Sequence, residues 1–194
     1  MSKQDLLDFF RYLERRGFLR EDLQCDPEHQ VETYLRDFCN GDKPTETQCV
    51  DLGLPSGTLW ATCNVGANEP EEYGNYYTHN EAVYLGVTLP TEEQIKELCS
   101  SCSSVWTTQN GVNGRLFTGP NGNTIFMPAT GYHYEMSLFG VSWYGDYWSS
   151  GLVDNYACYL RFSLGSVGFD YGNRRSERTV RAVKNRKENK VQNN

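Results

Sequence analysis

The 194-residue chain contains no run of 18 consecutive apolar residues, and its first ten positions are an amphipathic mixture rather than a basic flank leading into an apolar stretch. The first absence argues against a spanning helix and the second against a secretory leader, so the chain is expected to be made as a soluble, unsecreted, cytoplasmic protein without membrane insertion. Cysteine is present but not paired by pattern. The seven, at 25, 39, 49, 63, 99, 102 and 158, are odd in number and irregular in spacing, which points to reduced thiols. Histidine is scarce and scattered at His29, His79 and His133, and neither a Gly-x-Ser-x-Gly elbow nor an Asp/Asn/Gly calcium loop is present. No catalytic residue, metal or cofactor is therefore assigned. Basic charge is also missing from most of the chain. Residues 174–190 hold eight basic and two acidic side chains, so that segment carries +6 of a net −7 and the remainder carries −13. A nucleic-acid binder spreads basic residues over a face of its fold, and nucleic acid is not expected as a partner.

What is there is ordinary globular usage, 38% hydrophobic and 22% charged, enough for one domain and a small appendage. Residues 1–41 read as a helical appendage of two short helices. Leu6, Phe9, Phe10 and Leu13 recur at helical spacing before Gly17, and Val31, Tyr34, Leu35 and Phe38 do so between Asp26-Pro27 and Asn40-Gly41. Two such helices bury too little to stand alone, so they act either as a lid on the main domain or as an adaptor for self-association or a larger assembly. Residues 42–48 (DKPTETQ) form a polar linker, residues 49–183 the main domain and 184–194 a basic, polar, disordered tail.

Within the main domain, short β segments are expected at 59–63, 66–74 and 75–78. Thr91 with Gln94 forms a capping box, and Ile95, Leu98, Cys99 and Cys102 continue as the apolar stripe of a helix ending near Ser103. Cys99 and Cys102 have redox-pair spacing, but they close a helix rather than open one, where a thiol's pKa would be lowered; they read as small core residues. Residues 115–118 and 124–127 flank a Gly-Pro-Asn-Gly-Asn turn and predict a hairpin. Cys158, Leu160 and Phe162 alternate with Tyr159, Arg161 and Ser163, so a strand there buries the first set and presents the second. Val180 and Ala182 against Thr179 and Arg181 predict a terminal strand of the same kind. One helix among many short strands gives the class α+β.

The stretch from Trp148 to Val180 is unusual in composition. Positions that are not framework-like apolar residues are mostly Tyr, Ser, Gly, Asn, Asp or Arg. Tyrosine offers rigid amphipathic contact area, Ser, Gly and Asn offer adaptable hydrogen bonds, and Arg anchors, so this is the composition of a binding face.

Several motifs occur together and in order: VDLGLPSGTLWATCNVGA from Val50 to Ala67, Leu89-Pro90-Thr91, WTTQNGVNG from Trp106 to Gly114, Tyr147-Trp148-Ser149-Ser150 and Val180-Arg181-Ala182-Val183. Over about residues 49–183 the chain resembles the Fibrobacter-type major-paralogue domain, which is similar to the formylglycine-generating-enzyme branch of the C-type lectin fold. The resemblance implies a C-type-lectin-like ligand-binding domain. The last segment also resembles the variable proteins of diversity-generating retroelements, which display a hypervariable surface on this fold. That likeness implies that Trp148, Leu160, Phe162, Arg174 and Val180 hold the scaffold. The contact positions it implies are Tyr156, Tyr159, Arg161, Ser163, Ser166, Asp170, Tyr171, Asn173, Arg175, Ser176 and Arg178.

Two departures limit what carries over. The resembled oxidases use a pair of active-site cysteines, whereas only Cys158 lies near the end of this chain, in phase with apolar residues. Calcium-dependent sugar binders use Glu-Pro-Asn or Gln-Pro-Asp with Trp-Asn-Asp, and none of these triplets occurs. The expectation is a non-catalytic receptor-binding or display protein, phage-borne or bacterial, whose surface in 152–179 meets a protein or glycan. A formylglycine-generating-type oxidase relative and an invariant structural paralogue are the alternatives.

Overall fold

The computed structural model describes residues 48–185 apart from Met136, within a unit of the chain that begins at Thr47. The helices expected over 2–39, their adaptor role and the tail beyond Asn185 lie outside the described residues. Strand β1 (Cys49–Asp51) turns at Pro55-Ser56 and returns as β2 (Thr58–Ala61), with Cys49 opposite Ala61. Strand β3 (Tyr77–Thr78) runs directly into the short helix α1 (His79–Ala82), because Thr78 and Glu81 form a reciprocal capping box. The same device opens α2 (Glu92–Ser101). There Gln94 N donates to Thr91 Oγ1 at 3.2 Å and Thr91 N donates to Gln94 Oε1 at 2.8 Å, so the helix starts where its sequence predicts. Ile95 and Leu98 are buried, while Cys99 and Cys102 are half-buried against the core.

Ten further strands follow among the described residues: β4 (Ser103–Gln109), β5 (Val112–Thr118), β6 (Thr124–Pro128), β7 (Tyr132–Tyr134), β8 (Ser137–Phe139), β9 (Gly145–Val153), β10 (Tyr156–Phe162), β11 (Val167–Asn173), β12 (Glu177–Arg178) and β13 (Val183–Asn185). They form four small sheets, ordered β1-β2-β13, β4-β5-β6, β11-β10-β9 and β3-β12-β7-β8. The described residues thus make a small α+β fold dominated by strands. No described helix is long and apolar enough to cross a membrane.

Within the described residues the β9–β10–β11 sheet feeds a hydrophobic cluster from each of its faces, while β11 stays largely exposed. Tyr147, Leu160 and Phe162 enter a cluster with Trp60, Leu52, Ile95, Leu98, Phe117 and Met127; Trp148, Ala157 and Tyr159 enter a second with Ala82, Leu89 and Val180. Gly145 is required at the edge of the first, since a Cβ there would stand 2.1 Å from the Phe162 ring.

Several expectations need correction. Tyr159 is 3% exposed rather than presented to solvent, because a two-sided sheet buries both phases of its central strand. Residues 66–74 form turns, not a strand. The terminal strand lies at Val183–Asn185 instead of 179–182, so Lys184 and Asn185 belong to a ladder with β2 rather than to a tail. Arg181, expected outside, is fully buried. It donates from Nε to Asn64 Oδ1 at 2.8 Å, from Nη1 to the carbonyls of Ala61 and Thr62, and from Nη2 to Phe126 O at 3.1 Å. Trp60, Asn64, Tyr147, Trp148 and Arg181 are all buried in this way.

Candidate functional site

The registers Tyr159↔Asp170, Tyr159↔Trp148 and Arg161↔Asp146 bring the side chains of all five residues to one face of the β9–β10–β11 sheet. Asp146 is fully buried there and accepts two hydrogen bonds from Arg161, from Nε at 2.9 Å and from Nη2 at 2.7 Å. Arg178, from β12, approaches the same carboxylate with Nε at 3.7 Å and stacks on the rings of Tyr159 (4.0 Å) and Trp148 (4.3 Å). Its Nε and Nη1 make no hydrogen bond, so aromatic faces and the Asp146 charge are what hold this buried cation. Burial pulls the Arg178 guanidinium below its ordinary pKa, with Asp146 opposing; Arg161 is raised, chiefly by its bonds to Asp146. Burial and then Asp146 push the Tyr159 hydroxyl up to about 12.

Only part of this assembly meets solvent. The Arg161 side chain is 35% exposed and lies over Tyr159 (5.1 Å), Tyr144 (5.5 Å) and Tyr132 (6.0 Å), with the open Asp170 carboxylate 3.8 Å from its Nη1. Nε and Nη2 are committed to Asp146, which leaves one edge of a flat, fixed cation facing outward. Tyr132 stacks on Phe139 at 5.6 Å, and the β7–β8 hairpin adds exposed Tyr134, Leu138 and Phe139 beside it. This arrangement can receive a hydrogen-bond acceptor on Arg161 and apolar area on the aromatic rim.

The contact positions implied by the sequence divide into four groups. Arg161 and Asp170 share the face just described. Tyr156, Tyr171 and Asn173 fall in the opposite phase, on the side of α2, where Tyr171 donates from its hydroxyl to Glu92 Oε2 at 2.6 Å and its pKa rises to about 12. Ser163 and Ser166 close the β10–β11 turn with their hydroxyls 2.9 Å apart, and Arg175 donates its backbone N–H to Asn173 Oδ1 in the next turn. Tyr159, Ser176 and Arg178 are buried, which corrects their expected exposure: each lies beneath a neighbouring layer that sequence periodicity does not show. Asp146, Tyr132 and Tyr144 were not among the expected contacts. The aromatic density after Gly131 was the signal available for the two tyrosines; a lone aspartate carries none.

Three of the described thiols, Cys99, Cys102 and Cys158, are poorly suited to nucleophilic chemistry. Burial raises Cys99 and Cys102 to about 11 each, and Cys158, fully buried, is raised by the same cause. His79 is buried with Nε2 2.9 Å from Ser149 O, and His133 packs edge-on to Tyr76 at 4.7 Å. Among the described residues no three His, Cys, Asp or Glu side chains converge as a metal site. No protein-family model matches the chain, and no curated protein or solved structure is detectably similar to it.

Proposed function

We propose that residues 49–185 form a non-catalytic ligand-binding module, of the receptor-binding or display kind, whose surface within 152–179 is open to diversification on a C-type-lectin-like scaffold. The observation that carries this reading is the Arg161 guanidinium. It is pinned from below by a buried aspartate and an arginine–aromatic stack, and is offered to solvent between tyrosines and Asp170. Preorganised Arg and Tyr anchors are the groups that dominate recognition energetics, because little entropy remains to be lost when a partner docks. The raised thiol pKa values lend nothing to an oxidase reading.

The test is sequencing of the codons for residues 148–183 across a population carrying this gene, together with a search of the flanking DNA for a near-repeat differing at adenines. Substitutions are expected at Tyr156, Ser163, Ser166, Asp170, Tyr171, Asn173 and Arg175, and not at the buried Tyr159, Ser176 and Arg178 or at Arg161, whose loss would leave the buried Asp146 without its hydrogen bonds. A uniform segment without a repeat would remove diversification and leave a fixed paralogue.

A further inference from the structure

A second surface lies beside the Arg161 face and does not depend on it. Trp106 from β4, Asn113 from β5, Ser142 and Trp143 from the β8–β9 loop, and Leu164 from the β10–β11 turn line an open depression of ≈ 250 Å³. Trp143 and Leu164 are each 73% exposed. The three stretches that converge here, 103–114, 137–145 and 162–169, contain no Asp, Glu, Lys or Arg in a chain that is 22% charged. The first of them is instead rich in Ser, Thr, Asn and Gln, and the other two are mostly apolar residues and Gly with two Ser each.

The walls are built. Trp106 is fixed edge-on to Phe162 at 6.5 Å, and Asn113 accepts from Thr108 Oγ1 at 2.8 Å while its Nδ2 donates to Ser142 O at 3.4 Å. Ser142 N donates to Ala129 O at 2.9 Å, and Trp143 N to Gly140 O at 3.0 Å. The nearby Arg115 is turned inward and buried: Nη1 donates to Ser104 Oγ at 2.8 Å and Nη2 to Ser163 O at 2.8 Å and Leu164 O at 3.3 Å, tying the Leu164 turn to the β4–β5 hairpin.

We propose that this depression binds one pyranose ring of a neutral glycan, stacked on the Trp143 indole with adjacent hydroxyls on Asn113. A pyranose presents a flat face of C–H groups to an aromatic ring and a rim of hydroxyls that each need a donor or an acceptor. The Asn113 amide, after its bonds to Thr108 and Ser142, keeps one N–H and one lone pair, the pair that two vicinal hydroxyls satisfy. An apolar side chain from a protein partner would cover that amide without meeting its hydrogen-bonding needs, at a loss. An acidic glycan or a phosphate would find no cation among the lining residues, since Arg115 is buried with Nη1 and Nη2 turned to Ser104, Ser163 and Leu164. The volume, below the roughly 300–1,000 Å³ of sites for drug-sized ligands, suits a single ring within a longer chain.

The experiment uses the full chain on an array of neutral and acidic glycans, followed by tryptophan-fluorescence titration with the neutral oligosaccharides retained. Saturable binding of at least one neutral glycan is expected, weakened roughly tenfold or more in Trp143→Ala and Asn113→Ala. Partial recovery is expected in Trp143→Phe, and no change in the exposed control Tyr84→Ala. Affinity should hold as salt rises from about 0.1 M to about 1 M, where interactions between exposed charges are screened out. Circular dichroism of each variant separates lost binding from lost fold. Retention of no neutral glycan, retention of acidic glycans with loss in salt, or binding indifferent to Trp143→Ala each overturns the proposal, as does a protein partner bound there instead.

Discussion

Three arginines near the chain's end have different fates because a guanidinium is flat, permanently charged and rich in donors. Arg181 is dissolved among backbone carbonyls, Arg178 is stacked between aromatic rings, and Arg161 keeps one edge in water. His79 makes the complementary case of a titratable group buried neutral. Burial lowers its pKa from 6.5, against the opposing bond to Ser149 O, and Arg174 lowers it further. Between about pH 6.5 and the folded-state value, the unfolded chain takes up a proton that the folded one does not. The stability that neutral His79 supplies is thus complete above about pH 6.5 and is lost as pH falls through that window. Melting temperature should hold above about pH 6.5 and decline as pH falls below it, and His79→Gln, which retains a donor for Ser149 O, should flatten the decline. An unchanged slope in the variant would assign the effect to other groups.

At the scale of elements, the β4–β5 hairpin turns on Asn110 and Gly111, with φ of 48° and 83°. This is the left-handed pair that a tight hairpin turn requires. A Cβ at Gly111 would meet nothing within 4 Å, so Gly111→Ala is a clean measure of backbone strain. It should cost about 1–2 kcal/mol, read as a lower urea midpoint with an unchanged m-value. The Asn-Gly pair is a usable sequence signal for this hairpin, in addition to the hairpin expected over 115–127. What was legible was local: the Thr91 box, the stripe of α2, the turn between β5 and β6, and the phase of Cys158, Leu160 and Phe162 on β10. The other phase of β10 departs from its periodicity because its burial depends on β3, α1 and β12, elements distant in sequence. The candidate site was visible as a composition and only partly as a geometry. Arg161 and Asp170 come together through register, whereas Tyr171 turns toward Glu92 on the opposite face.

For the whole described unit, the arrangement of its first and last strands matters most. β1 and β13 flank β2 on its two sides, with Cys49 opposite Ala61 and Asn185 opposite Thr58. Strand spacing and rise put those two ends roughly 14 Å apart. A circular permutant of residues 48–185, joined by a flexible linker of about six residues and opened at the exposed Gly86, should therefore unfold cooperatively near the parent's midpoint. Failure to fold would mean that the β1-β2-β13 sheet needs its natural chain order to assemble. Such neighbouring ends make the unit a cassette: it can be spliced into the middle of a host polypeptide without prising that host apart, and the two surfaces proposed above to bind ligands would travel with it.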